Sequence, residues 1–138
     1  MSKITLKEMV KFHGHLGPWL VLGVLSGESA LKKLKAKKYF RLDVQVWGAD
    51  RKPKSCLIDG LQLSTGATYG KGNIKKFDNN KIKILVLDQA NKKTVKLTLK
   101  DGLLKKINSL KTHADSEIFA KKLYSTNCSR IFNLTLTP

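Results

Sequence analysis

FHGHLGPWLVLGVLSGESALKKLKA, at residues 12–36, carries the main folding signal of this chain. Gly14, Gly17 and Pro18 interrupt the helical pattern. Pro18 suits the first turn of a new helix, where the amide hydrogen that proline lacks would be unpaired anyway. The pattern therefore predicts an irregular turn followed by a long helix over residues 18–36.

Small residues follow one side of this predicted helix. Gly23, Gly27 and Ala30 lie along one stripe, which would let another backbone approach closely. Before the turn, residues 5–12 place apolar side chains at helical spacing, as a short amphipathic helix does. We therefore expect two helices joined by a glycine-rich turn.

Downstream of residue 36, the pattern changes to a strand, a helix and a loop. Over residues 42–47, Leu42, Val44 and Val46 alternate with Asp43, Gln45 and Trp47, which predicts a half-buried strand. Ser55 is a favoured N-cap residue, so a helix is expected from Cys56 to about residue 64. Residues 65–73 are rich in glycine and threonine and are expected to form an irregular loop.

The second half of the chain combines helical and strand patterns. It is predicted to contain a β-hairpin at residues 82–87 and 94–99, helices at 101–110 and 116–124, and a last strand over 132–136. The length of 138 residues, with no linker or repeat, predicts a single domain over residues 1–138.

The formal charge of +17 is the dominant compositional feature. Such a charge attracts polyanions, yet only Arg41, Arg51 and Arg130 are arginines, and arginine is the better fork for phosphates and guanine edges. The lysines are scattered along the chain. A solvated lysine surface is therefore favoured over a dedicated nucleic-acid or polyanion site, which stays an alternative.

Cysteine usage and hydropathy predict a cytoplasmic protein. Cys56 and Cys128 cannot be paired from the sequence, and the first ten residues contain no apolar segment of a signal peptide. The longest apolar stretch, residues 19–25, is far short of the roughly 20 residues that a membrane span needs. We expect free thiols in a reducing compartment and no membrane association.

His13 and His15 are the first candidate metal ligands. On an α-helix, side chains two positions apart point about 200° away from each other, so the pair can share an ion only if the backbone leaves the helix. The glycines and the proline around them favour that departure. A lone pair of histidines at this spacing is weak support, and two histidines at the surface or at a helix end are the alternative.

Cys56 and Asp59 form the second candidate. In the first turn of a capped helix, the helix dipole would lower the pKa of the Cys56 thiol. Asp59 lies on the same helical face, where it could orient a histidine or carry a proton. The alternative is that Cys56 is a small buried apolar residue, as free cysteines ordinarily are.

The loop TGATYGKGN at residues 65–73 is not a phosphate-binding P-loop. That motif needs four residues between its glycines and Ser or Thr after the lysine. Here three residues separate Gly66 from Gly70, and Gly72 follows Lys71. Nucleotide binding by this route is rejected.

Three motifs occur in order: FHGHLGP at residues 12–18, CLIDGLQ at 56–62 and TGATYGKGN at 65–73. Together they resemble the FmdE family of formylmethanofuran dehydrogenase proteins, whose pattern is roughly HGHxCPG, a Cys-x-x-Asp-x-x-Gln helix and TGCTxGKGN. The resemblance implies an α+β fold in which N-terminal helices pack on a mostly antiparallel sheet. It also implies a homodimer and a cleft that holds a divalent metal.

The same resemblance implies the site residues. His13, His15 and Cys56 match the metal ligands, and two imidazoles with one thiolate suit zinc with a fourth position open. The other matching positions are Asp59 and Lys71, as proton carriers if the protein is catalytic, and Gln62, Thr65 and Asn73, which would line or brace the pocket.

Two departures from the family pattern limit what is expected. Gly17 and Ala67 replace family cysteines, so chemistry that needs two neighbouring thiols is not expected. Some relatives carry a C-terminal zinc finger, which Cys128 alone cannot form. The chain is therefore predicted to be an FmdE-like core without that finger.

The family name refers to the reversible reduction of carbon dioxide to a formyl group on methanofuran. That reaction needs a molybdenum or tungsten cofactor and iron–sulfur clusters, and this chain has too few thiols to carry it alone. The leading prediction is an accessory or stand-alone protein that binds a metal and an unidentified small ligand, with formylmethanofuran dehydrogenase subunits as possible partners. Besides the nucleic-acid or polyanion alternative, a structural relative without a metal stays open.

Overall fold

Helices and strands occupy most of residues 3–138, the part of the chain that the computed structural model describes. Met1 and Ser2, which the predicted domain includes, lie outside it. The helices are α1 (Leu6–His13), α2 (Pro18–Leu34), α3 (Cys56–Thr65), α4 (Asp101–Asn108) and α5 (His113–Tyr124). The strands are β1 (Leu42–Trp47), β2 (Ile74–Phe77), β3 (Lys83–Asp88), β4 (Thr94–Leu99) and β5 (Phe132–Thr137). Short 3-10 turns lie at Tyr39–Arg41 and Cys128–Arg130.

The five strands form one sheet in the order β2-β1-β3-β4-β5. Only the β1–β2 pair is parallel, and the other three pairs are antiparallel. Val44 lies opposite Ile74 on one side and Val86 on the other, and all three are buried. The predicted α+β class with a mostly antiparallel sheet is confirmed.

Helix α2 is the centre of the core. It packs against β3, β4 and β5 and most closely against α3. At the crossing with α3, a Cβ atom added to Gly23 would lie 2.8 Å from the Cα atom of Gly60, and Gly27 lies against Ser64. The prediction that the small residues of α2 admit another backbone is confirmed.

The start of the chain folds as the sequence predicted. Thr5 caps α1 in a capping box with Glu8, and α1 ends where Gly14 adopts a left-handed φ of 113°. Pro18 lies in the first turn of α2. The helix stops at Leu34 rather than at residue 36 because Lys35 is left-handed, with φ 54°.

The largest departures from the predictions are at α5 and β2. Helix α5 begins at His113, three residues early, because the Thr112 side chain accepts a hydrogen bond from the Asp115 amide. Strand β2 was not predicted at all. Its last three residues are exposed, so it lacks the apolar alternation that marks a half-buried strand.

A partly buried ion pair ties the turn before β1 to the hairpin. Asp88 is fully buried at the end of β3, and Arg41 donates to both of its oxygens, at 2.6 and 2.7 Å. The Arg41 guanidinium lowers the pKa of the Asp88 carboxyl, against the opposing effect of burial. This pair fixes the segment that precedes β1.

Among residues 3–138, the structure contains no helix with the length and apolar character needed to cross a lipid bilayer.

Candidate functional site

His13 and Asp59 are joined by a short hydrogen bond between α1 and α3. His13 is the last residue of α1, and the left-handed turn at Gly14 directs the chain away immediately after it. His13 Nδ1 lies 2.6 Å from Asp59 Oδ2, and the two side chains are 10% and 40% exposed. Asp59 therefore orients the imidazole, as the sequence predicted that it could. This contact leaves Nε2 as the free ring nitrogen.

His15 lies beside His13. Because Gly14 takes the backbone out of the helix, the two imidazoles come together, with ring centroids 4.8 Å apart and planes tilted by 43°. His15 is exposed, whereas His13 is half-buried. The site thus presents one oriented and one accessible imidazole.

Gln62 connects this pair to the loop between α3 and β2, which spans residues 66–73. Its Nε2 donates to Asp59 Oδ1 at 3.3 Å, and its Oε1 accepts from the Tyr69 amide at 3.2 Å. Because one turn of α3 separates Asp59 from Gln62, both side chains lie on the same face. The orientation of His13 and the position of the loop are therefore coupled through two side chains.

Thr65 and Asn73 brace the loop. The Thr65 hydroxyl donates to the Leu61 carbonyl at 2.6 Å and accepts from the Ala67 amide at 3.1 Å. Asn73 is buried, and its Oδ1 accepts from the Thr68 amide at 3.0 Å. Both side chains use these polar groups in hydrogen bonds to the backbone. They therefore support the loop rather than offer ligating atoms.

Asn73 also holds a neighbouring segment. Its Nδ2 donates to the carbonyls of Tyr39 and Leu42, at 2.9 and 3.0 Å. Tyr39 has a left-handed φ of 77°, an uncommon conformation for a bulky residue, and its ring packs against Gly66. The loop and the turn before β1 therefore form one unit.

Lys71 lies over exposed aromatic rings on this unit. Its Nζ is 5.7 Å from the ring centre of Tyr39 and 5.6 Å from that of Phe40. Within residues 3–138, no hydrogen bond or ion pair joins the Lys71 side chain to His13 or Asp59. Its predicted role as a proton carrier stays a prediction.

Tyr39 and Phe40 are features of this region that sequence reasoning did not identify. The two residues are 55% and 71% exposed. The signal available in the sequence is an adjacent pair of aromatic residues just before a strand, with lysines on the preceding positions. That signal is weak because a strand beginning at Tyr39 would give the same pattern.

The thiol pKa of Cys56 differs from the prediction. Burial raises the pKa of its thiol above the ordinary value, and the nearby Asp59 carboxylate raises it further, while Lys52 acts in the opposite direction. The expectation of a lowered thiol pKa is therefore wrong. Across residues 3–138, no three His, Cys, Asp or Glu side chains are grouped closely enough to hold a metal ion.

The backbone before α3 explains why the helix dipole does not lower the pKa of the Cys56 thiol. Ser55 makes no side-chain cap and has helical angles, φ −64° and ψ −16°. The amides of residues 56–58 donate to the carbonyls of residues 53–55. Since these amides are already paired, Cys56 does not face the open, positive end of a helix.

A family model described as "FmdE, Molybdenum formylmethanofuran dehydrogenase operon" matches residues 12–135. A protein of Archaeoglobus fulgidus described as a probable S-adenosyl-L-methionine-binding protein is 30% identical over 102 residues. That alignment covers 70% of this chain and 27% of the relative, so the chain spans about a quarter of the length of the curated relative.

A solved structure has the same fold. The crystal structure of a tungsten formylmethanofuran dehydrogenase FmdE-like protein from Syntrophus aciditrophicus matches with a TM-score of 0.69 at 19% identity. The match covers 96% of this chain and 69% of the other. The family match extends from the motif around His13 into the last strand of the sheet, and on that basis the chain belongs to the FmdE family.

Proposed function

We propose that this FmdE-family protein binds a divalent metal at His13 and His15, with zinc the best-suited ion, and binds a small ligand next to it. The observation that carries the proposal is the 2.6 Å bond between His13 Nδ1 and Asp59 Oδ2. Histidines that bind metals almost always donate their other ring nitrogen to a carboxylate or carbonyl, which fixes the tautomer and the ring orientation. His13 has that support, and the His15 ring lies next to it.

Cys56 is the proposed third ligand. Because no three such side chains among residues 3–138 are grouped closely enough to hold an ion, the Cys56 sulfur would have to approach the two imidazoles as the metal binds. Two imidazoles and one thiolate form a ligand set that suits zinc. The raised pKa of the thiol means that a metal has to displace a proton from Cys56, so metal affinity is expected to increase with pH. A bound metal would supply Lewis-acid chemistry to a ligand in the cleft.

The residues of the chain have distinct proposed roles in this pocket. Asp59 orients His13 and is the nearest candidate for carrying a proton, and Gln62 keeps that carboxylate in place. Lys71 is a second candidate carrier, at the end of a loop that Asn73 anchors. We propose a homodimer that works as an accessory or stand-alone relative, with formylmethanofuran dehydrogenase subunits as candidate protein partners.

Metal titration tests the proposal. Zinc binding to the metal-free protein, followed by calorimetry, is expected to be stoichiometric in wild type and lost in His13→Ala. His113→Ala is the matched control because His113 is exposed on α5, far along the chain from the motif, and it should bind as wild type does. Equal affinity of wild type and His13→Ala would refute the metal site.

Two further variants test which cysteine binds the metal. Cys56→Ser should weaken zinc binding, whereas Cys128→Ser should not, since Cys128 lies at the other end of the chain beside β5. Small ligands, S-adenosyl-L-methionine among them because of the relative's description, can then be titrated into the loaded and the metal-free protein. A metal-dependent affinity would support the proposed cleft.

A further inference from the structure

The sheet has one face that the helices of the structure do not cover. Side chains alternate between the two faces of a strand, and the buried set includes Val44, Val46, Ile84 and Val86, on the side where α2 packs. The opposite set is half-buried or exposed, and Leu85 and Leu87 from it are absent from the residues that pack against the core. We call this the open face.

The strand registers order the open face into three rows. One row runs Phe77–Trp47–Lys83–Thr98–Asn133, the next runs Lys75–Gln45–Leu85–Lys96–Thr135, and the third runs Asp43–Leu87–Thr94–Thr137. In the first two rows, lysines therefore lie beside aromatic or apolar side chains on neighbouring strands.

The first row is pre-ordered. The rings of Trp47 and Phe77 stack with centroids 5.0 Å apart and planes 22° from parallel. On the other side of Trp47, Lys83 Nζ lies 4.4 Å from the ring centre. Phe77, on the edge strand, is 38% exposed and keeps its outer surface available for another ring.

The charge of the open face is positive and unpaired. It carries Lys75, Lys83 and Lys96 against the single carboxylate Asp43. Within residues 3–138, none of these three lysines takes part in an ion pair. With +17 on the whole chain, two copies of this face would repel each other, whereas a polyanion would be attracted.

We propose that the open face binds single-stranded nucleic acid. A base would stack on the outer side of Phe77, next to Trp47, and the phosphates would contact Lys75, Lys83 and Lys96. Stacking on aromatic side chains combined with a positive surface is the general basis of single-strand binding without sequence preference. A duplex offers no unstacked base, so it would gain only the electrostatic part.

The experiment compares two triple variants with the same loss of charge. Lys75→Gln/Lys83→Gln/Lys96→Gln removes the lysines of the open face. The control, Lys32→Gln/Lys33→Gln/Lys122→Gln, removes exposed lysines from α2 and α5 in the helical layer. Binding of a fluorescein-labelled oligothymidine of about 12 nucleotides, within the range of single-strand site sizes, is measured by anisotropy at several salt concentrations.

We expect the open-face triple to bind at least about tenfold more weakly than the control. Its salt dependence, as the slope of log affinity against log salt, should be smaller by about 2, since each phosphate contact on a single strand contributes about 0.7. Phe77→Thr keeps a β-forming residue at the edge and should weaken binding roughly tenfold by loss of stacking. Thermal unfolding of each variant establishes that it is folded.

Trp47 provides a second readout. Trp19 is buried, so a change in tryptophan emission on addition of the oligonucleotide reports on Trp47. Equal weakening of the two triples would show attraction by the overall charge and overturn the proposal. Binding of a duplex as tight as that of the single strand, or unchanged Trp47 emission at saturation, would overturn it as well.

Discussion

At His13, a carboxylate 46 positions further along the chain determines which ring nitrogen is free. The sequence predicted that Asp59 could orient a histidine because it shares a helical face with Cys56. It did not predict how the thiol is affected, because the thiol pKa depends on burial and on Asp59 as well as on helix position. The residue pattern identifies the participants, and the packing sets their chemistry.

The raised pKa of the Cys56 thiol predicts that this cysteine reacts slowly. Alkylation by iodoacetamide, in Cys128→Ser protein so that only Cys56 reacts, is expected to be slow at neutral pH and to accelerate as pH rises above the ordinary thiol value of about 8.5. Asp59→Asn removes the second cause of the raised pKa and should increase the rate at pH 8 several-fold. An unchanged rate in that variant would contradict the role assigned to Asp59.

The second prediction concerns Arg41 and Asp88. Because the pKa of Asp88 is lowered in the folded protein, the pair stabilises the fold above the unfolded-state value of about 3.9, and this contribution is lost as pH falls through the folded-state pKa. Arg41→Gln should therefore lower the free energy of unfolding at pH 7.

The difference from wild type should shrink as pH falls, because without Arg41 the buried Asp88 carboxyl of the variant takes up its proton at a higher pH than the wild-type carboxyl does. Arg51→Gln is the control, since the Arg51 side chain is 90% exposed and lies 3.8 Å from Asp50. Urea unfolding from pH 3 to pH 7 measures both, and a difference that does not depend on pH would exclude the ion pair as its origin.

Among the elements, the crossing of α2 and α3 places the candidate site most directly. A Cβ atom on Gly60 would lie 2.6 Å from the Val24 amide nitrogen, so any side chain there pushes the helices apart. Gly60→Ala is expected to destabilise the protein by about 1–3 kcal/mol through overpacking. Because Gly60 follows Asp59, the proposed zinc binding at His13 should weaken as well.

Gly102 provides the matched control for that variant. It lies in α4, and a Cβ atom there would meet no other atom within 4 Å. Gly102→Ala should leave zinc binding unchanged and stabilise the fold by about 0.4–1 kcal/mol, because alanine loses less backbone freedom on folding. Chemical denaturation of both variants decides the matter, and equal stabilities would contradict the close crossing.

Most helices and strands were predictable because their patterns are local. The α2 helix follows from Pro18 and a continuous apolar run, and the hairpin follows from two alternating strands. Strand β2 could not be predicted, since it is held by parallel pairing with β1 rather than by its own exposed residues. In the same way, helical spacing suggested that Asp59 could orient a histidine, but its bond to His13 and the coupling through Gln62 to the loop depend on tertiary packing.

For the whole molecule, the charge of +17 predicts self-repulsion in the folded state. Salt screens repulsion between exposed charges, with a Debye length of about 10 Å at 0.1 M. The melting temperature should therefore rise by roughly 2–5 °C between low salt and 0.2 M sodium chloride. Sodium sulfate has a second stabilising effect, so chloride is the cleaner choice. A falling melting temperature would contradict net repulsion.

Asn73 separates the loop from the sheet. Its side chain holds Thr68 and the turn at Tyr39, and its carbonyl accepts from the Val44 amide at 2.9 Å, where β2 begins its pairing with β1. A residue inserted between Tyr69 and Gly72 would therefore lengthen the loop without moving Asn73. Lys75 and Phe77 would stay on the same face of the sheet. The length and sequence of the loop can thus diversify while the strand alignment stays constant.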